Sequence, residues 1–255
     1  MKKFLGINIF LIFVLAGLSF GQTGHQKEVF LQANQNYAKQ NYEGAIELYQ
    51  KILKQGYENS DIYYNLGNCF YRLNQVGNAV LYFEKAHKLN PHDPDIEYNL
   101  ELANLRIVDN IQLPPRFFLF NWWDAVKNYY SPGQLTYVVS VLFAVTIFLL
   151  IIWLYAKSYR LRRWLMTFVV TAGVIAVFWS YIFLIRIHEY KSHRDAVVLT
   201  STETVYSAPD EGSTDVFVLH EGAKVKLDDQ RSGWMEISLP DGKSGWIKSQ
   251  ALGII

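Results

Sequence analysis

Three patterns of apolar and polar positions follow one another along the chain. Across residues 26–110, apolar and small side chains recur three and four apart, which predicts amphipathic helices with one buried face each. Residues 135–156 and 164–185 are apolar throughout, 22 residues each without a charge. At about 1.5 Å per residue, each segment as a helix would cross roughly 30 Å of hydrocarbon. From Ala196 the period falls to two. Val225 and Leu227 alternate with Lys224, Lys226 and Asp228, and Met235, Ile237 and Leu239 with Trp234, Glu236 and Ser238. That alternation predicts half-buried strands, about five of them in residues 195–255, with Pro240-Asp241-Gly242 as a hairpin turn.

The helical part repeats itself with a period of 34: Ala33 with Gly67, Ala45 with Ala79, Tyr49 with Phe83, and Ile52 with Ala86. Asp61, Tyr64, Asn65 and Leu66 recur as Asp95, Tyr98, Asn99 and Leu100. Each unit reads as two antiparallel helices. Gly67 and Ala79 allow close backbone approach, while Tyr63, Leu66, Phe70, Phe83 and Ala86 form the buried seam. Pro91 ends the second unit and Gly56 the first, because proline lacks an amide donor and glycine tolerates a reversed turn. The units span 26–59 and 60–93, and a capping helix is predicted over 94–108. Roughly three units are normally needed to close a continuous core.

The second unit, SDIYYNLGNCFYRLNQVGNAVLYFEKAHKLNPHD, resembles the tetratricopeptide repeat family. The first is weaker at Gln32 and Asn36, where apolar residues are usual. In that family the first helices line a concave groove for extended peptides or other proteins. The resemblance places Phe30, Asn34, Tyr37, Tyr64, Asn68, Tyr71, Arg72 and Tyr98 in such a groove, with Phe30, Tyr64 and Tyr98 as a column. Packing between helices is the alternative for these rings. Binding is preferred because tyrosine offers area and a polar tip at low entropic cost. Some family members grip a terminal carboxylate with two asparagines and three cations. Asn34 and Asn65 fit the asparagine places, but Phe30, Asp95 and Asn99 occupy the cationic ones, so chaperone-tail recognition is not expected.

The remaining segments are envelope signals. Lys2 and Lys3 precede an apolar run from Phe4 to Phe20, and Ser19 and Gly21 suit cleavage before Gln22. Residues 1–21 read as a signal peptide, with an uncleaved anchor as the alternative, and no cysteine follows for a lipoprotein cut. The link 157–163 carries Lys157, Arg160, Arg162 and Arg163, which place it in the cytoplasm and both flanking domains in the periplasm of a bacterial inner membrane. Arg186, Lys191 and Arg194 argue more weakly for the reverse. Neither span holds an ionisable group, which disfavours transport. Within 111–134, Phe117, Phe118, Phe120, Trp122, Trp123, Tyr129 and Tyr130 predict a short helix at the lipid headgroup layer, between Pro114–Pro115 and Pro132. A patch for a protein partner is the alternative there.

The C-terminal run, with its early Val-Val strand, Ser207–Pro209, the Leu219-His220-Glu221-Gly222 turn and two Gly-Trp pairs, resembles bacterial SH3-like domains. Related domains bind cell-wall peptides or proteins through aromatic grooves, which points to Tyr206, Trp234 and Trp246, although Trp246 is preferred as core. The expected architecture is therefore multidomain: an all-α tetratricopeptide-repeat solenoid, two transmembrane helices and a small all-β SH3-like barrel.

Charge and reactive residues narrow the function. A net charge of +1 and 51% apolar residues provide no concentrated basic face for nucleic acid. The single cysteine, Cys69, cannot form an internal disulfide and reads as a small packed residue. No catalytic, cofactor or metal constellation is found. His188-Glu189 and His193 miss the paired-histidine zinc spacing and read as a hinge beside a span. Gly242-Lys243-Ser244 lies on a hairpin and has Ile237 where a phosphate loop needs glycine. His25, His87, His92 and His220 are isolated, so an enzyme is not expected.

The order of these elements resembles the BatE-type proteins of Bacteroides aerotolerance operons. That resemblance implies an envelope scaffold working with von Willebrand-type membrane partners and a MoxR-type ATPase system. The alternative is a cell-wall sensor or anchor whose SH3-like domain binds peptidoglycan.

Overall fold

A computed structural model describes residues 24–109, 111, 117–192 and 194–255. The predicted signal segment and Pro114–Pro115 lie outside the described residues.

The first helices start where short polar side chains replace missing backbone partners. Helix α1 covers 24–38, α2 Tyr42–Lys54, α3 Ser60–Arg72, α4 Val76–Leu89 and α5 Pro94–Asn104. The amides of Gly44 and Asp61 donate to Asn41 and Asn59 at 3.2 and 2.9 Å, and that of Asp95 to Asp93 at 3.0 Å, with Pro94 opening α5. Gln40 and Asn74, one period apart, both take φ 60, and Gly56 takes φ 80 after α2. The seam read from the sequence is the core: Tyr63, Leu66, Phe70, Phe83 and Ala86 are all buried. A Cβ on Gly67 would lie 2.5 Å from the Phe83 ring, so α3 and α4 approach through that glycine. The predicted cap over 94–108 is shorter than expected. The chain leaves the helix after Asn104, where Arg106 turns to Asn74 and Asp109 turns to His220.

The aromatic segment forms α6, Phe118–Asn128, and no residue of it is buried. Helix α7, Pro132–Tyr155, begins ahead of the predicted Leu135 because Ser131 and Gln134 make a reciprocal cap around Pro132. Helix α8 runs from Tyr159 to Ser192. The link between them is therefore Ala156–Ser158, and Arg160, Arg162 and Arg163 are helical, as expected of arginine where nothing interrupts the backbone. The expected hinge at His188-Glu189 is absent, since α8 continues through both residues. His193 lies outside the described residues. Gly133–Tyr155 and Tyr159–Glu189 are long and apolar enough to cross a membrane, with mean hydropathy 2.7 and 2.3. Only 6% and 11% of their most apolar stretches are buried, so these sides face outward rather than into a protein core.

The C-terminal part is one antiparallel sheet: β1 Arg194–Val198, β2 Thr202–Tyr206, β3 Asp215–His220, β4 Lys224–Arg231, β5 Trp234–Ser238, β6 Ser244–Lys248 and β7 Leu252–Ile254. Its order is β3-β2-β6-β5-β4-β1-β7. Seven strands replace the five read from alternation, because a three-residue strand such as β7 is too short to show a period. It is fixed instead by pairing with β1, Ala196 opposite Ile254. The β5–β6 hairpin turns at Gly242, with φ +91, as Pro240-Asp241-Gly242 predicts.

The sheet packs onto the back of the helical repeats. Val197, Leu199 and Ile255 join the helical core. A Cβ on Gly77 would lie 2.8 Å from the Val198 carbonyl oxygen, and one on Gly253 would lie 2.5 Å from Leu81. The Gly77 amide donates to Glu221 at 3.1 Å, and Lys88 donates to the Ile255 carbonyl at 3.1 Å. Asp109 accepts from the His220 amide at 2.6 Å and pairs with its ring Nδ1 at 2.9 Å. Lys224 meets Glu84 at 2.8 Å. Burial works to lower the Lys224 pKa, but the Glu84 and Asp195 carboxylates together outweigh it and hold the ammonium above the usual lysine range. Among the described residues, α5 has no second helix of its own unit behind it. The sheet covers α4 instead.

Candidate partner groove and aromatic sheet surface

Helices α1, α3 and α5 form the face of the repeats that the sheet leaves uncovered. The predicted column Phe30, Tyr64, Tyr98 lies along it with graded exposure. Phe30 is half-buried, its ring 5.8 Å from that of Tyr49. Tyr64 is half-buried with its ring 6.0 Å from Phe83, and its hydroxyl accepts from the Asn99 amide at 2.7 Å. Tyr98 is 61% exposed, so most of its ring is available for contact.

Asn34 points inward instead. Its Oδ1 accepts from the Tyr49 hydroxyl at 2.5 Å and from Asn65 Nδ2 at 3.3 Å, tying α1, α2 and α3 together. Burial pushes the Tyr49 pKa up, so this phenol stays a donor. Asn68 is half-buried on α3. Tyr37 meets Tyr42 edge-on at 5.4 Å, and its hydroxyl, facing Arg72, raises the Arg72 pKa. Tyr71 carries the Arg106 guanidinium 5.0 Å above its ring. Arg106 and Asn99 are absent from the sequence-derived groove set. The 34-residue period would have found Arg106, one period beyond Arg72.

Cys69 is fully buried between the repeat helices, and burial pushes its thiol up to about 12. A thiol held that high is protonated at neutral pH and packs as an apolar group.

On the sheet, Tyr206 and Trp234 form an edge-to-face pair with centroids 5.5 Å apart. Both are half-buried, on strands β2 and β5 rather than on β1 and β7, which meet α4. Trp246 on β6 lies opposite Tyr206 and Glu236 in the ladder. It is only 7% exposed, beneath the Arg231 guanidinium at 5.2 Å, and so backs this surface instead of presenting a ring. The four basic residues of the span link lie at the far end of the helix pair. Arg162 and Arg163 there rest on Trp153 and Tyr159, at 4.6 and 5.2 Å.

A helical array with one open aromatic face and an antiparallel sheet with an aromatic pair define two binding modules joined to two candidate spans. Residues 60–93 match the tetratricopeptide repeat family, over the second unit and helices α3 and α4. Residues 201–253 match the bacterial SH3 domain, from the start of β2 into β7. The first module points to protein–protein interaction and the second to cell-wall binding. A search among curated proteins returned no match to the chain.

Proposed function

We propose that this protein is a non-enzymatic, membrane-anchored envelope scaffold that holds partner proteins in its repeat groove. The observation that carries this reading is the uncovered face of α1, α3 and α5. Tyr98 stands exposed there, one period from a Tyr64 that Asn99 and Phe83 hold in place, while the opposite side of the array is filled by the sheet.

The proposed orientation places the repeats and the bacterial SH3 domain in the periplasm, with Lys157, Arg160, Arg162 and Arg163 in the cytoplasm. At the other end of the helix pair, away from those basic residues, α6 is joined to α8. Lys127 of α6 meets Glu189 of α8 at 2.7 Å, and Arg186 donates to Asn128 at 2.9 Å. The exposed rings of α6, among them Phe118, Phe120 and Trp122, then rest in the lipid headgroup layer just before α7 begins. In this reading the scaffold belongs to a Bat-type aerotolerance complex, with von Willebrand-type partners and a MoxR-type ATPase system. That part rests on the order of elements along the chain.

The test is capture of envelope proteins by the detergent-solubilised full chain and by its Tyr64→Ala/Tyr98→Ala variant. Proteins retained by the wild type should be lost from the variant, since removing a contact tyrosine costs about 2 kcal/mol at a well-packed site. An unchanged set of captured proteins sinks the groove reading.

A second reading, a cell-wall sensor or anchor, is favoured by the match to the bacterial SH3 domain and by the Tyr206–Trp234 pair, whose strands β2 and β5 lie apart from the repeat interface. It predicts that purified peptidoglycan sediments the protein and that Tyr206→Ala/Trp234→Ala weakens this roughly tenfold or more. Equal sedimentation of variant and wild type counts against it.

A further inference from the structure

The 34-residue period also generates a basic rim that the groove column does not use. Tyr37 recurs as Tyr71, Arg72 as Arg106, and the reversed turn at Gln40 as that at Asn74. In each case the arginine of one unit engages the tyrosine of the unit before it. Arg72 faces the Tyr37 hydroxyl, and Arg106 lies 5.0 Å over the Tyr71 ring while donating to Asn74 Oδ1. Both arginines are exposed.

Their partners are uncharged: a tyrosine hydroxyl for Arg72, and a tyrosine ring and an asparagine amide for Arg106. Among the described residues neither guanidinium forms an ion pair, whereas Lys224, Lys226, Arg231, Lys243 and Lys248 of the sheet each meet a carboxylate. An arginine held against an aromatic ring has already lost much of its rotamer freedom and still offers N–H groups at its edge. That is the arrangement suited to a carboxylate. The opposite ends of these helices carry the reverse charge, also one period apart: Asp61 and Asp95 stand exposed in the first turns of α3 and α5. The groove is therefore polarised across its width, with acidic groups at the helix starts and arginines at the helix ends.

We propose that Arg72 and Arg106 form a two-rung arginine–tyrosine ladder that receives acidic side chains of an extended segment of a partner protein. This deepens the groove reading and rests on it. Packed helices lie about 8–10 Å apart, and an extended polyproline-II segment advances about 3.1 Å per residue and returns to the same face every third residue. Two acidic residues roughly three positions apart would thus meet the two rungs. A single terminal carboxylate would engage one.

The probe is a degenerate twelve-residue peptide library applied to the full chain in lipid nanodiscs. Retained peptides should be enriched in Asp and Glu, with pairs about three apart over-represented. The enrichment should vanish in Arg72→Gln/Arg106→Gln and fall partway in Arg72→Lys/Arg106→Lys, which keeps the charge but loses the planar fork. For one selected peptide the glutamine variant should bind roughly tenfold more weakly, with a flatter dependence on salt than the wild type. Slow modification of Cys69 in each variant would show that the repeats remain folded. Peptides retained without acidic enrichment, or enrichment unchanged in the glutamine variant, would overturn the ladder and leave the groove standing. If the wild type and Tyr64→Ala/Tyr98→Ala retain peptides equally, or neither retains any, the groove reading falls and the ladder falls with it.

Discussion

Deleting residues 194–255 is expected to accelerate chemical modification of Cys69 about a hundredfold, although Cys69 lies in the other domain. The thiol is fully buried in the repeat core and, pushed up to about 12, is unreactive in place. A reagent reaches it when the helices open, and the opened thiol returns to the ordinary range near 8.5, where it reacts at mildly alkaline pH. The observed rate then follows the opening equilibrium.

The sheet contributes to that equilibrium because it covers α4. Without it, Leu81 loses its contact with Gly253, Ile107 loses Gly222, and the amide of Gly77 loses the Glu221 carboxylate. Each apolar side chain returned to water costs about 1.5–3 kcal/mol at most, and a hydrogen bond to a charged group about as much. A net loss of about 3 kcal/mol is a conservative sum and corresponds to a factor near a hundred. Because the chain has one cysteine, the signal is unambiguous. An unchanged labelling rate would mean that the repeats close without the sheet. The expected result also bears on the two functional readings. Loss of function on deleting the bacterial SH3 domain would not by itself assign function to that domain, since the groove would loosen with it. Tyr206→Ala/Trp234→Ala, on strands away from α4, separates the two.

This coupling was hidden from the sequence for a definite reason. Periodicity reports contacts between near neighbours, and the period of 34 accordingly gave the close approach at Gly67 and Ala79, the turn at Gly56 and the buried seam. The family match over residues 60–93 falls on that same unit. Gly77 with Glu221 and Lys88 with Ile255 are 144 and 167 residues apart, and no local pattern marks either member. Gly77 was not singled out by the repeat, and Glu221 read as part of a turn. The extra strands escaped for a related reason, because β7 exists through pairing with β1 rather than through alternation. The helices run beyond the apolar stretches because hydropathy locates an apolar stretch, whereas a helix stops where its backbone partners run out. Ser131 and Pro132 set the start of α7, and nothing stops α8 before Ser192. Among the residues read as groove-facing, the sequence did not show which side chains were already engaged. Asn34 was placed facing a partner, and it is occupied by Tyr49 and Asn65.

Phe83→Ala is expected to be the most damaging single substitution in the repeats, and it carries a second, sharper prediction. The ring is 1% exposed, fills the space left by Gly67 and supports Tyr64 at 6.0 Å. Its removal should cost about 3–5 kcal/mol, because Tyr49 and Leu66, themselves buried, cannot move in to close the cavity. Cys69 labelling should accelerate accordingly, and capture through Tyr64 should weaken with it. Gly67→Ala then tests the cause. A Cβ there would lie 2.5 Å from the ring, so in the wild type the change should destabilise the repeats by about 1–3 kcal/mol despite the better helix propensity of alanine. In the Phe83→Ala background the obstacle is gone, and the same change should stabilise by up to about 1 kcal/mol, through helix propensity and partial filling of the cavity. The sign of the Gly67→Ala effect on Cys69 labelling should therefore reverse between the two backgrounds. The same sign in both would mean that helix spacing is set elsewhere, and that Tyr64 does not depend on this contact for its place in the groove.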